Sequence, residues 1–213
     1  MSFPSYTDEE MKIISCLNNY QTNFTPSSPD DKCPEIHILI NKDFEIVDKN
    51  TVSYRGGNLT NKMTLFAKNN YCCLIHNHPS NCSLSQSDWN TLSNFTNMTM
   101  VAVNSQGSTF RGKVIVANSY TCWLDSMNTI YDNITSEIDN FLTGLSMSYF
   151  CYEQLCFDDI KWLIGIHIGK RIKNKGIVDY EYILKGSDYF FWHKKENEVF
   201  HEKLTTLCNK YIP

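Results

Sequence analysis

Apolar and polar positions follow one another along this chain with a period that changes several times, and each change predicts an element. Thr7-Asp-Glu-Glu10 has the spacing of a capping box and opens an amphipathic stretch to about Tyr20, which predicts a first helix. A polar, proline-bearing loop runs from Asn23 to Pro34. Glu35-Ile-His-Ile-Leu-Ile-Asn-Lys-Asp-Phe-Glu-Ile-Val then predicts two strands joined by a turn at Asn41 to Asp43, with Val52 to Tyr54 as an extension that Arg55-Gly-Gly57 breaks. A short helix is expected over Thr60 to Asn69. Tyr71-Cys-Cys-Leu-Ile75 is an uninterrupted apolar run, suited to a central strand buried on both faces and expected to end at His76-Asn-His-Pro79. Ser85 caps a helix from Gln86 to about Phe95, Met100 to Val103 returns as a strand, and Thr109 to Ala117 is its hairpin partner across Asn104-Ser-Gln-Gly107. Beyond Ser119 the pattern turns helical over Leu124 to Leu145 and Tyr149 to Lys175, the second stretch stopped by Gly176. A strand-like piece, Val178 to Leu184, precedes a last helix from about Ser187 to Tyr211.

These blocks divide the chain into an α/β module over residues 1–118 and a mainly helical region over 119–213. The 213 residues, 42% hydrophobic and 13% aromatic, suffice for a packed core and exclude a disordered chain. A formal charge of −4 shows no basic footprint, which argues against tight binding to nucleic acid without excluding a local patch. The nine cysteines are odd in number and contain no CxxC pair, a pattern of free thiols in a reducing cytoplasm rather than a disulfide scaffold. Met1 to Lys12 has neither the basic nor the apolar region of a signal peptide, and no stretch nears the roughly 18 apolar residues of a membrane span. A cytoplasmic protein without membrane association is therefore expected. Asn-x-Ser/Thr triplets such as Asn23-Phe-Thr25 read as accidents of an Asn-rich chain.

The chemistry concentrates in residues 76 to 88, His-Asn-His-Pro-Ser-Asn-Cys-Ser-Leu-Ser-Gln-Ser-Asp. Two histidines one residue apart at a strand end present neighbouring imidazoles if the backbone bends there, and Pro79 helps to fix such a bend. Asp88, in the first turn of the following helix, supplies an anionic third donor. Two His and one carboxylate are the ligand set of a zinc ion that keeps its fourth position open, as catalytic rather than structural zinc does.

The run His76-x-His78-Pro79 followed by Ser85-x-x-Asp88 resembles the motif of the JAMM (JAB/MPN) metalloproteases, and His76-Asn-His-Pro-Ser80 is closest in form to the bacterial RadC-like and mobile-element branch. The five-residue spacer between Pro79 and Ser85 is one shorter than the commonest in that family, and Asn81 stands where the RadC-like proteins have Gly; neither change removes a ligand. The resemblance covers about residues 33 to 117. It implies an α+β, JAB/MPN-like central mixed sheet flanked by helices, here with a mainly helical C-terminal extension. It implies Zn2+ on His76, His78 and Asp88, a glutamate upstream as general acid and base, and a serine, here Ser85, that steadies the oxyanion. Glu35, directly before the first strand, fits the glutamate's place best, with Glu45 as the alternative. The activity implied is hydrolysis of a peptide or isopeptide bond in a protein substrate, ubiquitin-like proteins being the family's class. Three competing readings stay open: a catalytically silent MPN-like binding module, a RadC-like factor associated with nucleic acid, and an effector of a phage or mobile element.

Plainer readings stand beside each of these. Ser85 and Asp88 also form an ordinary helix start, the two histidines a pair of turn residues, and Glu35 an exposed strand-edge carboxylate. His37 alternates with apolar neighbours and reads as packed or surface-facing, with its closeness to Glu35 making it a candidate for supporting the site. Cys72 and Cys73 read as core, and the spacing of Cys82 fits no standard zinc set. His167 reads as a helix-core residue, and Tyr189-Phe-Phe-Trp-His193 as core or interface.

Overall fold

Two apolar runs, Glu35–Asn41 (β1) and Cys72–His78 (β3), are buried along almost their whole length and lie side by side inside one sheet. Both are covered on two faces, which is why β3 lacks the alternation of a surface strand. The computed structural model describes residues 6–28, 31–53, 56–79, 82–115, 126–144 and 157–212. Strands β2 (Ile46–Val52), β4 (Met98–Asn104), β5 (Thr109–Val114) and β6 (Val178–Ile183) complete a six-stranded sheet in the order β2-β1-β3-β4-β5-β6. Neighbours are antiparallel except β3 and β4, and helix α3 (Gln86–Asn94) lies in the crossover that a parallel pair requires. The fold is α+β with a mixed sheet.

Residue parity assigns the side chains of β1 and β3 to two different cores. Ile36, Ile38 and Ile40 of β1 and Cys73 and Ile75 of β3 face helix α1 (Asp8–Thr22), whose Ile14 and Leu17 cover them. The alternate residues, Leu39, Cys72 and Leu74, face the larger core. That core takes Met63 and Ala67 from α2 (Asn61–Asn69) and Trp89 and Leu92 from α3. Ile130, Ile134 and Ile138, recurring every fourth residue, enter from α4 (Met127–Gly144). Trp162 to Ile168 of α5 (Phe157–Asn174) and Leu204 and Leu207 of α7 (Glu198–Tyr211) close the layer. Glu35, His37, His76 and His78 have the parity of this second face, at the end where the core gives way to polar side chains.

Three expectations change in detail. The central strand does not end at His76: β3 continues through His78, so the two histidines share a face by strand alternation and need no bend between them. The last helix is broken in two, α6 (Gly186–His193) and α7, because the chain leaves helical conformation at Lys194 and makes a short 3₁₀ turn over Lys195–Asn197. The hairpin partner of β4 stops at Val114, short of Ala117. The expected boundary at residues 118 and 119 lies outside the described residues, as do Ser80 and Asn81. The C-terminal region supplies a strand as well as helices, since β6 pairs with β5 from Thr109↔Ile183 to Val114↔Val178. Among the described residues no helix is long and apolar enough to cross a membrane, and Cys16, Cys33, Cys72, Cys73, Cys82 and Cys208 are free thiols.

Helix α5 approaches β6 closely at Gly169, where an added Cβ would stand 2.6 Å from two ring carbons of the buried Tyr180. Gly169→Ala is therefore expected to overpack this contact and lower stability by about 1–3 kcal/mol, read as a lower thermal midpoint; an unchanged midpoint would mean that α5 slides freely on the sheet.

Candidate metal centre

In the antiparallel β1–β3 pair His37 stands opposite His76, and the same register carried two residues further sets Glu35 opposite His78. Glu-x-His on one strand and His-x-His on the other thus make a two-by-two patch on one face of the sheet, since side chains two apart on a strand point the same way. All four residues are buried. Moving inward, the next cross-strand pair is Leu39 and Leu74, so the patch sits at the polar mouth of an apolar layer.

The ring nitrogens Nε2 of His76 and His78 lie 2.8 Å apart. Asp88, from the first turn of α3, places Oδ1 3.2 Å from His76 Nε2 and Oδ2 3.2 Å from His78 Nε2. Donor atoms about 2 Å from a tetrahedral zinc stand roughly 3.3 Å from one another. The two Asp88 separations are close to that spacing, each made by a different oxygen of the carboxylate, and the one between the histidines is shorter by roughly half an ångström. From the opposite side, Glu35, His76 and His78 form a buried group whose ligand atoms all lie within 4.8 Å of one another, a spacing able to hold a metal ion.

Local sequence explains how each donor is held. Ser85 begins α3 with a capping box: its backbone N–H and its hydroxyl donate to Asp88 Oδ2 at 2.6 and 2.7 Å, and its Oγ accepts from Asp88 N–H at 3.2 Å. Ser85 and Asp88 thus form the helix start of the plain reading, and the same Asp88 carboxylate faces both histidines. One carboxylate oxygen is tied to the cap while the other faces His76. His78 Nδ1 lies 3.3 Å from the Cys82 carbonyl, which favours a proton on Nδ1 and leaves Nε2 as the donor atom. Asn77, between the histidines, points to the other face of the sheet. There its Oδ1 accepts from Ile36 N–H at 2.6 Å and its Nδ2 donates to the Pro34 carbonyl at 3.1 Å, so one side chain grips the backbone on both sides of Glu35. Asn77 is fully buried and was not singled out from the sequence. The signal was present in strand alternation: whatever stands between two same-face histidines must face the opposite layer.

Electrostatics bind the cluster together. Burial opposes charge on His78, yet the Asp88 carboxylate, with Glu35 and the Cys82 carbonyl nearby, pushes its pKa up to about 9. Burial likewise opposes charge on Asp88, but His76 and His78 hold it well below the usual carboxylate range. For Glu35 burial is outweighed by the hydrogen bond from His37 and the nearby His76 and His78, and its pKa is lowered.

The patch opens into a cavity of about 410 Å³ whose lining includes Glu35, His37, His76, His78, Ser85 and Asp88. Its lining also includes Leu59, Thr64, Leu74, Thr91, Phe95 and Met100. Glu45, the alternative to Glu35, lies at the β1–β2 turn, where it is exposed and accepts from Asn41 Nδ2 at 3.0 Å; it does not face the histidines. His37 is buried and bonded to Glu35 rather than surface-facing. His167 packs in α5 with its Nε2 3.0 Å from His201 Nδ1, apart from this cluster. Of the aromatic run 189–193, Phe191 and Trp192 pack on the large core while Tyr189 and Phe190 are exposed.

Comparison with protein-family models, with curated proteins and with solved structures finds no match for this chain. The reading of the site rests on its own residues.

Because the folded chain raises the His78 pKa from 6.5 to about 9, the pairing with Asp88 stabilises the metal-free fold fully below pH 6.5 and is lost as pH rises through 9. Near pH 7 a cation entering the cluster must displace that proton. Zinc uptake followed calorimetrically in buffers of different ionisation enthalpy is expected to release about one proton per chain; release of none would show His78 to be neutral before binding. The thermal midpoint of the metal-free protein should also fall above pH 9 while that of the zinc-loaded protein holds.

Proposed function

We propose that this protein is a zinc-dependent peptidase or isopeptidase of JAMM type acting on a protein substrate, with ubiquitin-like proteins as the first class to test. The observation that carries the reading is the placement of a second carboxylate, Glu35, on the strand beside a His-His-Asp donor set, lining the same cavity. A structural metal site needs no such group and keeps its donors closed around the ion. His76, His78 and Asp88 would hold the zinc. When bound, it would supply Lewis acidity toward a scissile carbonyl and ease deprotonation of water near neutral pH.

The chain's own residues account for the remaining work. Glu35, ionised and buried beside the histidines, is the general base that takes a proton from the attacking water and the acid that returns it to the leaving amine. Its lowered pKa keeps it ionised at neutral pH. Ser85 lines the cavity and fixes Asp88 through its cap; turning its hydroxyl from Asp88 Oδ2 to the carbonyl oxygen would let it stabilise the developing oxyanion.

Purified protein is expected to carry about one zinc per chain, and His76→Ala combined with His78→Ala to lose it. A ubiquitin-like protein carrying a C-terminal amide-linked fluorophore is the first substrate. Glu35→Gln should retain zinc and lower kcat by roughly 10²–10⁴-fold. A native protein free of metal, or cleavage untouched by Glu35→Gln, would overturn the assignment.

A further inference from the structure

The carboxylate of Glu35 is held from two directions that no motif specifies. Asn77 grips the peptide groups on either side of it, which fixes where its Cα lies. The side chain would still be free to turn about its own bonds. His37, two residues on and on the same face, stops that rotation: its Nε2 lies 2.6 Å from Glu35 Oε1, and both groups are almost wholly buried. The Nδ1 of His37 is buried with no hydrogen-bond partner. In the neutral ring the single proton therefore belongs on Nε2, where it meets an ionised acceptor, a short charge-assisted bond. The remaining oxygen, Oε2, faces Gly56, 3.5 Å from where a side chain at that position would begin. Gly56 has φ +81°, and its N–H donates to the Ser53 carbonyl at 2.9 Å, so position 56 itself sets backbone rather than a side chain beside this oxygen.

From this arrangement we propose that His37 is a positioning residue for the general base: it ties Oε1 and thereby leaves Oε2 as the oxygen that works on the water. The proposal rests on the peptidase reading above and deepens it. The ring of His37 also stands edge-on to that of His76, with centroids 5.5 Å apart, so the same side chain packs against one of the two histidines of the donor set. Without His37, Glu35 could swing toward the two histidines, whose ligand atoms its own already approaches within 4.8 Å, and serve as a ligand instead of a base. Two oxygens with two duties need something to tell them apart, and the sheet places an imidazole where it can.

The test compares His37→Gln, whose amide N–H reaches about where Nε2 does, with His37→Leu, which fills the space and donates nothing. Both variants should bind one zinc per chain with affinity within about threefold of the parent, measured by chelator competition, since His37 is not a ligand. On the fluorophore substrate, His37→Leu should lower kcat at least tenfold with KM changed less than twofold. His37→Gln should recover activity to within about fivefold, which a merely space-filling role would not produce. Independently of activity, the zinc-loaded parent should show a downfield imidazole N–H proton resonance that is lost in His37→Leu and in Glu35→Gln. An active parent lacking that resonance, or a His37→Leu variant with parental kcat, overturns the role of His37 and leaves the peptidase reading standing. A parent that binds zinc and shows the resonance but hydrolyses nothing overturns the peptidase reading, and this proposal with it.

Discussion

Everything at the site depends on the register between β1 and β3. His37 opposite His76 is one choice among several that the hydrogen-bond ladder would allow, and a slip of a single residue would turn every side chain of β1 to the other face. The apolar layers forbid that slip. Ile36, Ile38 and Ile40 belong to the core under α1, while Leu39 belongs to the core under α3. Exchanging those sets would expose isoleucines to the polar cavity and bury Glu35 and His37 among aliphatic side chains. Packing in the sheet interior thus aligns the polar end, and Asn77 locks that end beyond the His37–His76 pair.

A second economy lies in α3. The capping box that starts this helix also aims Asp88, because Ser85 donates to the carboxylate that faces the histidines. Helix formation and donor placement therefore happen together. The segment leading into Ser85 is braced from outside the motif. Tyr131 of α4 donates to the Leu84 carbonyl at 3.0 Å, and Gly165 of α5 leaves room for Ser83, which a single added carbon there would strike.

Much of this was legible in the sequence because local rules decided it. The capping boxes at Thr7 and Ser85, the buried run before His76 and the glycine stop at Gly176, which takes φ +71°, each depend on a few adjacent residues. His76, His78 and Asp88 could be grouped for the same reason, being separated by one strand end and one helix turn. What was not legible depended on pairing between distant segments. Nothing within Glu35-Ile-His37 says that it will lie against His76-Asn-His78, so His37 stood as packed or surface-facing, a candidate for supporting the site only by its closeness to Glu35, and Asn77 was not singled out. The break at Lys194 was hidden for a different reason: the helical pattern of the last segment continues across it, and the chain turns there to return α7 across α4 and α5.

The pairing of β6 with β5 has a bearing on how this chain can be divided. Val178–Ile183 is separated from the site in sequence by most of the C-terminal region, yet it closes the only side of β5 not occupied by β4. A polypeptide ending after the hairpin would present the free edge of β5, with the amides and carbonyls of alternate residues unsatisfied, an invitation to intermolecular strand addition. It would also strip the aromatic and aliphatic cover from Phe110 and Trp89. The half of the molecule that carries none of the motif is thus what keeps the half that does from sticking to its own copies.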